Sequence, residues 1–274
     1  MENNISNQYV PTVKMIEDKG ALRITTLYKD IFTTVYVLKT EKGVLLFDAA
    51  SFDYDADDYI MPALATVGIT PEDIKYVFIS HNHADHAGGL AGVMKHCPNA
   101  VILSRSGALK EKFSQYTVVC PEDGDVVLDV LQVVTIPGHS ADSSAIFDTR
   151  TSTLISGDCL QAFGIFGSGK WASNITLTAE HYAALDKLDR MPIQGLLTAH
   201  DYHPYGWSAD GAEAVKAYID ACRQALDTVK KLILDEKGLD DEAVCAAFES
   251  QGYPYLSPRV SAAMRAALAD GKLK

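Results

Sequence analysis

The sequence has no apolar run near the roughly 20 residues a bilayer-spanning helix requires. Stretches such as GVLLFDAA and GLLTA stop far short of that length. Nor does its start, MENNISNQYV, carry the basic region followed by an apolar segment that marks export. The expectation is therefore a cytoplasmic protein that does not enter a membrane. Cysteine is scarce: there are five, at 97, 120, 159, 222 and 245, none of them spaced as CxxC. That argues against both a disulfide framework and a four-thiolate structural zinc site, and leaves reduced, packing thiols. Positive charge is also short. The net charge is −12, and no stripe of lysine or arginine is available to neutralise a phosphate backbone, so nucleic acid is a poor partner. No GxSxG elbow offers a serine nucleophile. Internal repeats, low-complexity tracts and long Pro/Gly/Ser linkers are missing as well.

What is present is a 274-residue chain, 47% hydrophobic, large enough for one large or two modest cores. ALRITTLY, TTVYVLKT and GVLLFDAA are short, rich in β-branched residues and separated by turn signals, which predicts strands in a meander. YDADDYIMPALATVG predicts a helix, KYVFIS a buried strand and AGGLAGVMKHC a short helix. Further on, AVILS reads as strand, GALKEKFSQY as helix, VVLDVLQVVTIP, SSAIFDT and STLISGD as strands, TAEHYAALDKLDRM as helix and GLLTAH as strand. After Trp207 the chain is helix-dominated, beginning with ADGAEAVKAYIDACRQ. Val215, Tyr218, Ile219, Cys222, Leu226, Val229 and Ile233 fall on one face there, as a docked helix requires. Two runs from strands into helices suggest sheets packed with helices outside.

The chemistry concentrates in FISHNHADHAGGL, where His81, His83, Asp85 and His86 follow a predicted strand. Imidazole nitrogen and carboxylate oxygen are ordinary ligands for a borderline divalent ion. Side chains at 81 and 83 share one direction in an extended segment, and a turning loop presents 85 and 86 to a second point. One segment can thus feed two metals. His139 after VVTIP, Asp158 ending STLISGD and His200 ending GLLTAH recur at strand ends. Each alone is an ordinary turn residue. Together they complete two sets: His81, His83 and His139 for one ion, Asp85, His86 and His200 for the other, with Asp158 between. His200 is preferred to His203 because it ends the strand, and His96 and His181 read as helix-surface residues.

In this order, with Asp48 after its own strand, the residues resemble the five-motif pattern of the metallo-β-lactamase superfamily over roughly residues 20 to 205. The resemblance implies an α/β (α+β) fold: a four-layer αβ/βα sandwich over 1–207, with a C-terminal helical extension over 208–274. It gives Asp48 the part of orienting the ligand loop and implies two divalent ions, zinc first, with iron or manganese as alternatives. A hydroxide shared by the ions would be the nucleophile on a small ester, thioester or lactone, with Asp85 orienting it or moving its proton. Alternatives on the same core are a β-lactamase, a phosphodiesterase, or a mononuclear iron oxidoreductase like the persulfide dioxygenases. Flavin-coupled diiron reductases carry glutamate where this chain has His83. Glyoxalase II offers a comparison: its GCGRF-like and HEYT-like segments resemble Gly167-Ser168-Gly169-Lys170-Trp171 and His200-Asp201-Tyr202. Lys170, Trp171, Tyr202, Phe163 and Phe166 are the pocket candidates. The partner expected is a small molecule, and the helical tail offers a homodimer surface or a pocket wall.

Overall fold

A computed structural model describes residues 11–165, 172–236, 238–253 and 255–273. The chain divides into two compact units, Met1–Val133 and Val134–Lys274. In the first unit β1 (Thr12–Ile16), β2 (Ala21–Tyr28), β3 (Ile31–Thr40), β4 (Gly43–Phe47), β5 (Ile74–Ile79), β6 (Val101–Ser104) and β7 (Val118–Val119) lie side by side in sequence order. The β1–β4 strands form an antiparallel meander, closed by tight turns such as Lys29–Asp30. From β4 to β7 the pairing is parallel, so each connection must cross over the sheet. Those crossovers carry α1 (Met61–Thr66), α2 (Ala84–Ala87), α3 (Leu90–His96) and α4 (Gly107–Lys112). A π-helical turn, Ala56–Ile60, leads into α1. Ile24, Val35, Leu46, Val77 and Ile79 from the strands meet Ile60, Leu64, Leu90 and Val93 from the crossovers in the core.

The expected helix after the histidine cluster is split. Gly88 and Gly89 separate α2 from α3 because their backbones press against another strand's connection. A Cβ on Gly88 would stand 2.0 Å from the Ser51 carbonyl oxygen, and one on Gly89 2.2 Å from that of Ala49. Only glycine allows that approach.

β8 (Val126–Val127) and β9 (Leu131–Thr135) form a hairpin within which the division of the chain falls. The second unit continues that sheet with β10 (Ser144–Asp148), β11 (Thr153–Ile155), β12 (Gly195–Tyr202) and β13 (Gly206–Asp210), in the order β13-β12-β11-β10-β9-β8. The β11–β12 pair is parallel, and α5 (Thr178–Leu188) makes its crossover. Three helices close the chain: α6 (Ala212–Asp235), α7 (Asp241–Ser250) and α8 (Pro258–Ala269). Asp240 and Ser257 cap α7 and α8 by accepting from the amides of Ala243 and Arg259. Val215, Tyr218, Ile219, Cys222, Leu226 and Val229 of α6 are buried in one core with Leu154, Leu185 and Leu196. The C-terminal helices therefore share the hydrophobic core of the second unit.

Three readings of the sequence need correction here. The segment Gly206–Asp210 is strand β13, antiparallel to β12, and the helix starts only after Gly211, whose φ of 85° makes the corner. β12 does not stop at His200 but runs to Tyr202, with its register slipping between Leu197 and Tyr202. His181 is not on a surface: it is completely buried. It occupies the inward stripe of α5 with Thr178, Leu185 and Leu188, a 3–4 spacing that the polarity of histidine concealed. Among the described residues no helix is long and apolar enough to cross a membrane.

Candidate metal centre

The first unit assembles one group of ligand-type side chains where β4 and β5 end. These strands are parallel neighbours, Phe47 opposite Phe78, and the Asp48 amide donates to the Phe78 carbonyl at 2.7 Å. Asp48 sits at φ 65°, the left-handed region that aspartate tolerates better than most residues, and this turns its side chain back along the edge of the sheet. Its carboxylate is wholly buried. Oδ1 accepts from the Ser80 amide at 2.7 Å, and Oδ2 accepts from the Ser80 hydroxyl at 2.9 Å and lies 2.8 Å from His86 Nδ1. Burial pushes the Asp48 carboxyl upward, and His86 and Ser80 pull against it. An ionised carboxylate is what three converging donors favour.

These contacts assign the histidine tautomers. His86 Nδ1 faces an acceptor-only carboxylate, so it carries the hydrogen and Nε2 keeps its lone pair. Ser80 spends its hydroxyl hydrogen on Asp48, so its oxygen accepts from His81 Nδ1 at 3.0 Å, and His81 Nε2 also keeps its lone pair. That Nε2 lies 2.9 Å from His83 Nδ1, and the His81 and His86 rings are 4.3 Å apart between centroids. His86 Nε2 lies 3.4 Å from Asp85 Oδ2. Lone pairs gathered toward each other beside a carboxylate repel unless a proton or a cation stands among them, which is the donor set a divalent ion accepts. The loop is fixed by its backbone: Ala49 N–H donates to the His86 carbonyl, Gly89 N–H to that of Ala50, and the Thr33 hydroxyl to that of Asp85.

The second unit assembles another group, centred on Asp158 in the turn after β11. Because β11 and β12 are parallel, that turn lies beside His200. Asp158 Oδ1 is 3.2 Å from His200 Nε2 and accepts from the Tyr202 hydroxyl at 2.7 Å. Oδ2 is 3.6 Å from His139 Nε2 and 3.4 Å from Gln161 Nε2. His139 follows β9 in a turn that the 174–181 segment holds from behind. The amides of Thr176 and Leu177 donate to the Gly138 carbonyl, the Thr176 hydroxyl donates to that of His139, and the His181 ring packs on Gly138. Burial pulls His181 down to about 3, so it is neutral at any ordinary pH.

Of the residues expected from sequence, the structure thus brings Asp48, His81, His83, Asp85 and His86 together in the first unit and His139, Asp158, His200 and Tyr202 in the second. Tyr202 is buried, with its hydroxyl on Asp158. Phe163 is buried too, its ring stacked on Tyr253 at 4.9 Å. Lys170, Trp171 and Phe166 lie outside the described residues. Sequence reasoning passed over Ser80 and Gln161 and set His181 aside as a helix-surface residue. Gln161 had a signal, an amide inside the apolar run CLQAFGIF; a serine before a histidine has none.

A family model described as the metallo-beta-lactamase superfamily matches residues 28–217. Among curated proteins, a beta-lactamase-like protein 2 homolog of Caenorhabditis elegans is 27% identical over 138 residues, 48% of this chain and 45% of that protein, so the match spans less than half of the relative. An N-acyl homoserine lactonase of Bacillus cereus is 26% identical over 182 residues, 54% of this chain and 72% of the relative. A hydroxyacylglutathione hydrolase of Prochlorococcus marinus is 22% identical over 177 residues, 61% and 64% respectively. Among solved structures, the rubredoxin oxygen:oxidoreductase of Desulfovibrio gigas superposes with a TM-score of 0.62 at 16% identity, covering 92% of this chain and 75% of that one. At that identity the likeness is one of fold.

Proposed function

Because the chain belongs to the metallo-β-lactamase superfamily, we propose that it is a hydrolase of small esters, thioesters or lactones that works with two divalent metal ions. In this reading the two groups of ligands serve one dinuclear centre. His81, His83 and His139 would hold one ion; Asp85, His86 and His200 would hold the other. Asp158 would serve both. The observation that carries the reading is the carboxylate of Asp158, which turns Oδ1 toward His200 and Oδ2 toward His139, one oxygen for each set. A histidine-rich set with carboxylates suits zinc, and iron or manganese are the alternatives.

When bound, such ions supply Lewis-acid activation of a water and of the scissile carbonyl. The chain's own residues do the rest. Asp48 holds His86, and through Ser80 His81, in the tautomer that leaves Nε2 available. Asp85 has a carboxylate at the partly exposed edge of the group, where it can accept a proton from the attacking water and pass it to the leaving oxygen or sulfur. The lactonase and the hydroxyacylglutathione hydrolase among the relatives support an ester-type carbonyl as the target. A cytoplasmic location, a small-molecule partner and pairing of two copies through the C-terminal helices complete the proposal.

The test is hydrolysis of a panel of aryl esters, acyl thioesters and lactones by protein of measured metal content, beside Asp158→Ala. Turnover of one of these classes with about two ions per chain, lost in Asp158→Ala, is expected. Turnover confined to β-lactams or phosphodiesters, or oxygen consumption with a persulfide at one iron per chain, would replace the reading.

A further inference from the structure

Resting on that reading of the ligands, the geometry points to Gln161 as the positioning residue that fixes the metal-facing oxygen of Asp158 on the His139 side, with Tyr202 as its counterpart on the His200 side. Gln161 is buried, in a segment that is otherwise apolar. Its amide has one possible orientation. Oε1 lies 2.6 Å from the Asn174 amide nitrogen, a backbone donor; reversing the group would set N–H against N–H. Nε2 is thereby held toward Asp158 Oδ2 at 3.4 Å and His139 Nδ1 at 3.0 Å.

The His139 contact decides where the amide hydrogens go. His139 Nδ1 is also 3.0 Å from the Asn174 carbonyl oxygen, an acceptor. When Nε2 of that ring is a metal ligand, Nδ1 must carry the hydrogen and donates it to Asn174. A protonated Nδ1 has no lone pair left for Gln161. The Gln161 N–H then has Asp158 Oδ2 as its acceptor. Asp158 is so gripped by a neutral donor on each oxygen: the phenol of Tyr202 at 2.7 Å on Oδ1 and the amide of Gln161 on Oδ2. Neither donor carries charge, so neither competes with a cation as a lysine would. Each sets the direction of a different oxygen.

Each donor therefore governs the ion on its own side. Residues that orient a metal ligand by hydrogen bonding typically change affinity about 10–100-fold when lost. Gln161→Met should weaken binding by about that factor at the His81–His83–His139 set and leave the His86–His200 set nearly unchanged, and Tyr202→Phe should do the reverse. A residue that merely filled space would not sort its effect by ion.

The experiment is zinc titration of metal-free protein against a chromophoric chelator. Gln161→Met and Tyr202→Phe are each placed in His86→Ala, which retains the first set, and in His83→Ala, which retains the second. The crossed pattern of losses supports the inference. Equal losses in both backgrounds, or affinities within about twofold of the parent in both, overturn it. A second measurement needs no variant: the side-chain amide resonance of Gln161 in the wild-type protein should shift on loading with zinc, and no shift overturns the inference. Wild-type protein that takes up fewer than two ions would instead overturn the dinuclear reading itself.

Discussion

Oδ2 of Asp48 and Nδ1 of His86 are 2.8 Å apart, both groups wholly buried, and that one contact ties a residue at the end of β4 to a ligand candidate 38 positions later. Replacing Asp48 by asparagine keeps the size and tolerates the left-handed backbone. It removes the charge that holds His86, and through Ser80 His81, in the required tautomer. Asp48→Asn should therefore weaken zinc binding about 10–100-fold, read by chelator competition on folded protein. Unchanged affinity would remove Asp48 from the metal chemistry.

Gly138 and His181 make a second linked pair. A Cβ on Gly138 would stand 2.3 Å from His181 Nδ1, far inside contact distance, on a backbone that is otherwise ordinary. Gly138→Ala should cost about 1–3 kcal/mol in stability, the usual range for overpacking a core. In a His181→Ala background, where the ring is gone, most of that cost should vanish. Urea unfolding of the four proteins in the cycle measures the coupling, and additive costs would show that the two residues do not press on each other.

His181 also shapes the response to acid. Burial places it at about 3 in the folded protein, against 6.5 for an exposed histidine, so between these values the unfolded chain binds a proton that the folded chain refuses. Stability is thus lost as pH falls from 6.5 toward 3, by up to about 1.4 kcal/mol per pH unit. His181→Leu should remove one proton's worth of that slope in metal-free protein. The comparison is the urea midpoint of both proteins between pH 6.5 and 4.5, and parallel curves would contradict it.

Much of this is legible in the sequence alone. The strands of the meander announced themselves through β-branched runs, and α6 through its 3–4 spacing, because both patterns record burial directly. The ligand candidates were legible because histidine and aspartate in HNHADH have little other reason to crowd at a strand end. β1 and β13 were not: Thr12–Ile16 is largely exposed and Gly206–Asp210 is mostly half-buried, so neither carries an alternating pattern. His181 was misplaced because its burial comes from a helix face and a glycine 43 positions earlier in the chain. Gln161 was passed over for a similar reason: its meaning lies in the Asn174 backbone and in a tautomer, and pairwise geometry of that kind leaves no periodic trace.

The dependence of activity on metal is the most direct test of a dinuclear centre. Zinc added stepwise to metal-free protein, with hydrolysis of whichever ester, thioester or lactone the loaded enzyme turns over followed at each step, gives the answer. The dinuclear reading predicts that the rate rises with the second ion and levels off at about two equivalents per chain. A plateau at one equivalent, or a rate indifferent to zinc, would contradict it.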